Sequence, residues 1–438
     1  MKIAYFSPLN PLKSGISDYS EQLLKYLQNH FEIDIFVDDF TPENEFINYN
    51  FKVFDYIKNP SILGTLKEYD HIVYNIGNNP HYHSNMYDVF LKYNGVIILH
   101  DFVLYFLITG YYLENLNSEK LFLDEMVYND EVNGEKKAMK ILNSSIDPLE
   151  FDKPHEVPLN KRLINSAKAI IVHSDYARNK VLEINPAANC IKINQIGPDT
   201  AGIDYYKELK KFYRKKYNIK EDEILISSFG YVSLTKRIDK VLEALASFKD
   251  KKFKYLLVGE GDYIDPLINK YGLDGLVIKT GFKDLIEFDD LIACSDIVVN
   301  LRYPYMGETS AAMIRALCLG KPTIVSNIGW FSEIDDASVI KIEIDKYEVE
   351  NLKKYLSKLI DDSNYKDSLG QKAKEYAEKY LDSHVIAKNF YNFLNNNKET
   401  LEIEVAGNIG VQLYKLGLIE SHTTIDRVAK TINELMQE

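Results

Sequence analysis

"RYPYMGETSAAMIRALCLGKPTIVS", residues Arg302–Ser326, packs a tight turn, a short helix and a new strand into little chain. Gly307 and the hydroxyls of Thr309 and Ser310 stand where the helix should begin. Small and apolar residues carry it to Gly320, and Lys321-Pro322 follow the stop. The run before it, "DIVVNL", reads as a strand, and so does "PTIVS" after it. Strand, loop, helix and strand in that order form a βαβ unit of a parallel sheet. The first free amides of such a helix carry roughly half a positive charge and face the carboxyl edge of the sheet. A diphosphate is the natural guest there. Ser310 or Thr309 as an ordinary N-cap is the plainer reading of the hydroxyls, and it does not exclude the anion.

The same alternation runs through the chain. Strands are expected at "KIAYFS", "EIDIFV", "HIVYNIG", "GVIILHD" and "AKAIIVHS" in the first half. In the second they are expected at "EILISSFG", "FKYLLVGE", "LVIKTG", "DIVVNL", "PTIVS" and "VIKIEI". Most lack polar alternation, as parallel strands buried on both faces do. About eleven strands exceed one open doubly wound sheet, so two Rossmann-like α/β domains facing a cleft are expected. Gly and Pro cluster in "IGPDTAGIDYY", which places the seam near residue 203. The expected division is an N-terminal domain over 1–203 and a second over 204–380. A helix over 381–397 is expected to return towards the first domain. The first domain carries a strandless helical insertion over about 104–160, and the tail over 398–438 fits neither sheet.

The 438 residues are 46% hydrophobic and 27% charged, as in soluble globular proteins. The start "MKIAYFSPLN" reads as a strand and not as a secretory signal, and no apolar run reaches bilayer length. Cys190, Cys294 and Cys318 are too few and too scattered for a disulfide framework or a zinc site. A cytoplasmic setting is expected. The net charge of −13 disfavours nucleic acid and anionic membranes as general partners. "YYKELKKFYRKKY", Tyr205–Tyr217, breaks that trend with six cations against Glu208. It reads either as a peripheral contact with the inner membrane surface or a lipid phosphate, or as a solvated helix with Tyr206, Leu209 and Tyr213 turned to the core. The second reading is favoured.

Chemistry should sit in loops that follow strands. In "SPLNPLKSGISDYS", Gly15 lets a ligand approach the backbone, and a helix is expected to start near Ser17-Asp18. "VIILHD" ends at His100-Asp101, where an imidazole can bond a sugar hydroxyl or a phosphate. His81 and His83 lie in a polar turn after another strand, with no third ligand nearby, so no metal is assigned. In "SSFGYVSLTKRIDKVLEAL", Gly230 ends a strand, and Lys236-Arg237 bring two cations to the sheet edge. Such cations suit a leaving phosphate on which negative charge grows. Gly259 belongs to a G-x-G that is weak evidence alone.

Taken together these stretches, over about residues 1 to 395, resemble the GT-B-fold retaining glycosyltransferases of family 4, the glycosyl transferases group 1. The resemblance implies transfer of a sugar from a nucleotide diphosphate donor to an acceptor hydroxyl, with retention and without a metal or resident cofactor. The family's diphosphate glycine maps to Gly15 and its active-site histidine to His100. Its Arg and Lys map to Tyr231 and Lys236, so the Arg is missing and Arg237 is the expected substitute. Its two glutamates map to Gly307 and Arg315, so both are missing, and the GETS sequence marks a subgroup. Glu308, one residue displaced, is expected to hold the donor sugar. Arg315 cannot accept a bond from ribose and is expected to meet a phosphate or an acid.

The resemblance thus gives His100, Lys236 and Glu308 as catalytic. It gives Gly15, Gly230, Arg237, Gly259, Gly307, Thr309, Ser310 and Arg315 as donor-binding, and Asp18, His81, His83 and Asp101 as acceptor-side. The expected donor is a UDP- or GDP-sugar, and the expected acceptor a saccharide, a lipid-linked saccharide or a protein in bacterial surface polysaccharide or glycoconjugate synthesis. A non-catalytic partner that keeps the fold, and a cleft-binding protein for a phosphorylated ligand, are the alternatives.

Overall fold

The structure, a computed structural model, describes residues 1–199, 203–248 and 250–397. The sequence-expected tail at 398–438 and part of the expected seam, 200–202, lie outside the described residues. The first half holds seven parallel strands: β1 (Lys2–Phe6), β2 (Glu32–Val37), β3 (Lys52–Asp55), β4 (His71–Ile76), β5 (Val96–Leu99), β6 (Ala169–Val172) and β7 (Cys190–Lys192). Their spatial order is β3-β2-β1-β4-β5-β6-β7. The second half holds six: β8 (Ile224–Phe229), β9 (Phe253–Val258), β10 (Val277–Lys279), β11 (Ile297–Asn300), β12 (Thr323–Ser326) and β13 (Ile340–Ile342), in the order β10-β9-β8-β11-β12-β13.

The strands β5, β6, β11 and β12 are buried along their whole length, which is why their sequences carry no charged residue and no polar alternation. The two strands not expected from sequence, β3 and β7, are short edge strands of the first sheet and only partly buried. The helix after β1 spans Gly15–Leu27 and is capped by Ser14, whose hydroxyl accepts from the Ile16 amide. It starts ahead of the Ser17-Asp18 expected from sequence, because Ser14 supplies the cap.

Between β5 and β6 the chain is helical, with its longest helix, Glu119–Leu142, broken at Asp130 and Glu131. The basic helix Ile203–Lys216 buries Tyr213 and pairs Lys210 and Arg214 with Asp296. No helix among the described residues is long and apolar enough to cross a membrane.

Several contacts join the halves, and those away from the strand ends come first. Helix Ser383–Asn396 lays Ile386, Phe390 and Leu394 into the core beside Leu23 and Leu27 of the first half. The His71 ring lies 2.8 Å from the Leu394 carbonyl. Glu333, after β12, accepts from the amides of Asp175 and Tyr176 at 2.9 and 2.7 Å. These are the opening amides of helix Asp175–Ile184, whose positive end the carboxylate complements. Lys192 of β7 adds an ammonium 3.0 Å from the same carboxylate. Replacing Glu333 with alanine should therefore cost about 1 kcal/mol or more, as loss of a helix cap does. The urea midpoint should fall, with Glu333→Gln falling less; an unchanged midpoint in the alanine variant would contradict the role.

Candidate active site

In each sheet the chain order reverses once near the middle, between β1 and β4 and between β8 and β11. Loops leaving the carboxyl ends of strands at such a reversal diverge and leave a crevice. The loops after β1, β4 and β5 face those after β8 and β11.

The loop after β11 lies directly on the turn after β5. Gly307 has φ +86, and a Cβ there would lie 2.3 Å from the Cβ of Phe102. Only glycine allows both the backbone angle and the approach. The Val103 amide donates to the Met306 carbonyl at 2.9 Å, and the Thr309 hydroxyl to Gln195 Oε1 at 2.5 Å. Tyr305 holds the next residue in place, its hydroxyl donating to the Glu308 carbonyl at 2.7 Å.

A cavity of about 240 Å³ remains between the halves, with Gly15, Asn78, His83, His100, Asp101 and Glu308 among its walls. Asp101 accepts from the Asn78 amide at 2.9 Å. Burial, with the Glu308 carboxylate near by, pushes the Asp101 carboxyl up to about 7, while Arg302 opposes the shift. Glu308 turns one oxygen to the Met306 amide at 3.0 Å and the other to Arg302 Nε at 2.9 Å.

Lys236 lies close enough to Glu308 and Arg302 to feel both charges. Burial, then the Arg302 cation, bring its pKa down to about 7, against the pull of Glu308. Its ammonium donates to the Phe229 carbonyl. A Cβ on Gly230 would sit 2.2 Å from Nζ, so the glycine makes room for the lysine.

Two imidazoles, His83 and His100, belong to this wall, and a third, His173, stands against His100. His100 Nε2 is 3.1 Å from Asn75 Oδ1, and the Asn75 amide nitrogen donates to the Phe6 carbonyl, so Nε2 donates and Nδ1 is left as an acceptor. Burial and the neighbouring His173 and His83 hold His100 far below its ordinary pKa. Burial also takes His83 down to about 3 and His173 to about 4. All three are neutral at physiological pH.

The other sequence-expected residues are placed as follows. Gly15 opens its helix with nothing within 4 Å of where a Cβ would stand. Gly259 packs against the Gly230 carbonyl. The Ser310 hydroxyl is taken by the Met313 amide at 3.3 Å and by Asn300 Nδ2 at 2.8 Å, as the plainer capping reading has it. Among the described residues no protein acceptor takes the amides of Thr309 and Ser310.

Arg237 does not join Lys236. Its φ of +53 turns it to the buried Glu348, which it grips through Nε at 2.6 Å and through Nη2. Arg302, not singled out from sequence, supplies the second cation instead; its place directly beyond β11 was the available signal. Arg315 is buried, with Nε 2.6 Å from Asp289 Oδ1, so it meets an acid. Asp18 lies near Arg315 and accepts from Asn10 at 3.3 Å, outside the cavity wall, and His81 is exposed. Among the described residues no group of three or more His, Cys, Asp or Glu side chains is arranged to hold a metal.

Residues 210–376 match the family described as Glycosyl transferases group 1. An uncharacterized glycosyltransferase of Methanocaldococcus jannaschii is 24% identical over 227 residues, 51% of this chain and 57% of that one. The O-antigen biosynthesis glycosyltransferase WclY of Escherichia coli is 29% identical over 146 residues, 32% of this chain and 39% of that one. The chain thus spans roughly half the length of the curated relatives it matches. Among solved structures, Anabaena HepE in complex with UDP and glucose superposes with a TM-score of 0.62 at 16% identity, covering 90% of this chain and 99% of that one. The fold is GT-B, and the stretch that matches the glycosyl transferases group 1 model, residues 210–376, lies in its second half.

Gly307→Ala should destabilise the protein by at least about 2 kcal/mol, from the strained backbone and the contact with Phe102 together. Thermal unfolding would register this as a drop of several degrees. A melting point equal to that of the unmodified protein would mean that the loop does not rest on Phe102.

Proposed function

We propose that the protein is a retaining, metal-independent glycosyltransferase that moves a sugar from a nucleotide diphosphate donor to an acceptor hydroxyl. The observation that carries this reading is the cavity in which Asp101 and His100 of one half meet Glu308 of the other, backed by Lys236 and Arg302. HepE, of the same fold, is seen with UDP and glucose, which makes a UDP-sugar the first donor to try. WclY acts in O-antigen biosynthesis, which favours a saccharide acceptor of a bacterial surface glycan.

In this reading the diphosphate lies against the free amides of Thr309 and Ser310, with the Lys236 and Arg302 cations beside it. Negative charge that develops on the leaving phosphate is met by groups already in place, so little reorganisation is needed. Arg302 takes the part that Arg237 was expected to play. Glu308 and the Nδ1 lone pair of His100 accept from sugar hydroxyls. His83 and Asp101 lie on the acceptor side of the same cavity, and Gly15 leaves the first half open to the diphosphate. No side chain is assigned as general base. Ribose recognition falls to Asp289, whose carboxylate lies beside Arg315, the position to which the second family glutamate maps.

Incubation with UDP-, GDP- and ADP-sugars should release nucleotide from one donor. Lys236→Ala should slow that release by about 10²-fold, the usual cost of losing a contact made to transition-state charge. Wild-type turnover in Lys236→Ala would remove its role. Silence across the panel, without nucleotide binding by calorimetry, would favour a non-catalytic partner.

Nucleoside diphosphate affinity should also fall as pH rises through about 7, because Lys236 and Asp101 both lose a proton there and each loss removes positive charge. Calorimetry across pH 6 to 9, roughly two units above that value, would test the sign. Asp289→Asn should raise KM for the donor about tenfold while leaving kcat nearly unchanged, as loss of uniform binding does. A change in kcat alone would place Asp289 elsewhere.

A further inference from the structure

The second sheet has another polar pocket at its opposite edge, where strands begin. It measures about 350 Å³ and lies beside Asp296 and Lys321, which precede β11 and β12. Lys210 of the basic helix forms one side, and Lys366 and Lys374 of helix Ser363–Tyr380 form another. The pocket thus gathers four ammonium groups against two carboxylates, Asp296 and Asp367.

Asp296 is already saturated. It accepts from Lys210 Nζ at 2.6 Å, from Arg214 Nη1 at 3.2 Å and from the Leu225 amide at 2.8 Å. Among the described residues the Lys321 ammonium bonds the Ala293 carbonyl alone, and burial next to Lys210 lowers its pKa to about 8. Lys374 has Glu378 at 3.9 Å, and among the described residues Lys366 has no ion-pair partner. Four cations held around a concave surface with a deficit of counter-charge repel one another, and an anion with several acceptor oxygens relieves them all.

From this arrangement we infer a second ligand site, separate from the cleft, that binds a phosphate group through Lys210, Lys321, Lys366 and Lys374. The site gives Lys210 of the basic stretch Tyr205–Tyr217 a ligand to meet. Free phosphate and a phospholipid headgroup offer the same chemistry, and the experiment separates them.

Calorimetry at low ionic strength would measure inorganic phosphate binding to the full chain and to Lys366→Glu, Lys374→Glu and Lys236→Ala. Co-sedimentation with phosphatidylcholine vesicles, with and without phosphatidylglycerol, would run beside it. Both charge-reversal variants alter side chains at the pocket rim, and unchanged melting points would establish that they fold. Each should weaken binding by about tenfold or more, since a like charge placed against the ligand is costly. Phosphate held in the cleft is lost in Lys236→Ala, so the binding that this variant retains, and that Lys366→Glu and Lys374→Glu lose, is that of the pocket. Binding to phosphatidylglycerol vesicles but not to free phosphate would assign the site to a headgroup, and the converse to a soluble ligand. Loss of phosphate binding in Lys236→Ala alone would place the phosphate in the cleft and overturn the inference. So would a failure to bind both the vesicles and free phosphate.

Discussion

The close approach of Gly307 to Phe102 is the contact on which the site depends. Neither half encloses a cavity that combines His100, Asp101 and Glu308; these residues meet only because one loop lies on the other's turn. The missing Cβ allows the approach, and the hydrogen bond between Val103 and Met306 fixes its register. Glutamate at position 307 would meet the same obstacle as alanine and a larger one beyond it. The carboxylate therefore moves to position 308, where Tyr305 anchors the backbone and Arg302 the side chain.

That displacement sets the electrostatics. Two carboxylates, Asp101 and Glu308, face one region from opposite halves, and two cations, Arg302 and Lys236, stand behind them. Arg302 works in both directions: it steadies the acids, and it lowers the proton affinity of Lys236. The three imidazoles contribute no charge, because burial costs a cation more than it costs a neutral ring. They act as acceptors and donors of fixed geometry. The resting cavity is close to balanced, and a diphosphate entering it would shift Lys236 firmly to its charged form.

Much of the fold was legible because parallel strands buried on two faces are unbroken apolar runs, and glycines mark where they end. The edge strands β3 and β7 were not, since three or four half-buried residues leave no pattern to read. In the site, single positions were legible and pairings were not. Lys236 and Arg237 are neighbours in sequence, but a left-handed residue between a short turn and a helix sends their side chains to different partners. Arg302 carried a signal only through its place at a strand end. No local pattern links Arg237 with Glu348, more than a hundred residues away.

Arg315 gives the same lesson with a physical reason attached. A guanidinium buried at that depth without a counter-ion would cost several kcal/mol, so an acid had to be near it. Sequence alone permitted an acid or a phosphate; the fold supplies Asp289 from the preceding helix. Burial keeps the Asp289 carboxyl above its ordinary pKa even so, and Asp18 of the first half feels the same guanidinium. The buried cation at 315 is therefore compensated by an acid from another element. Reversing Arg315 alone to glutamate would set three carboxylates together. Positions 315 and 289 thus have to be read as one unit.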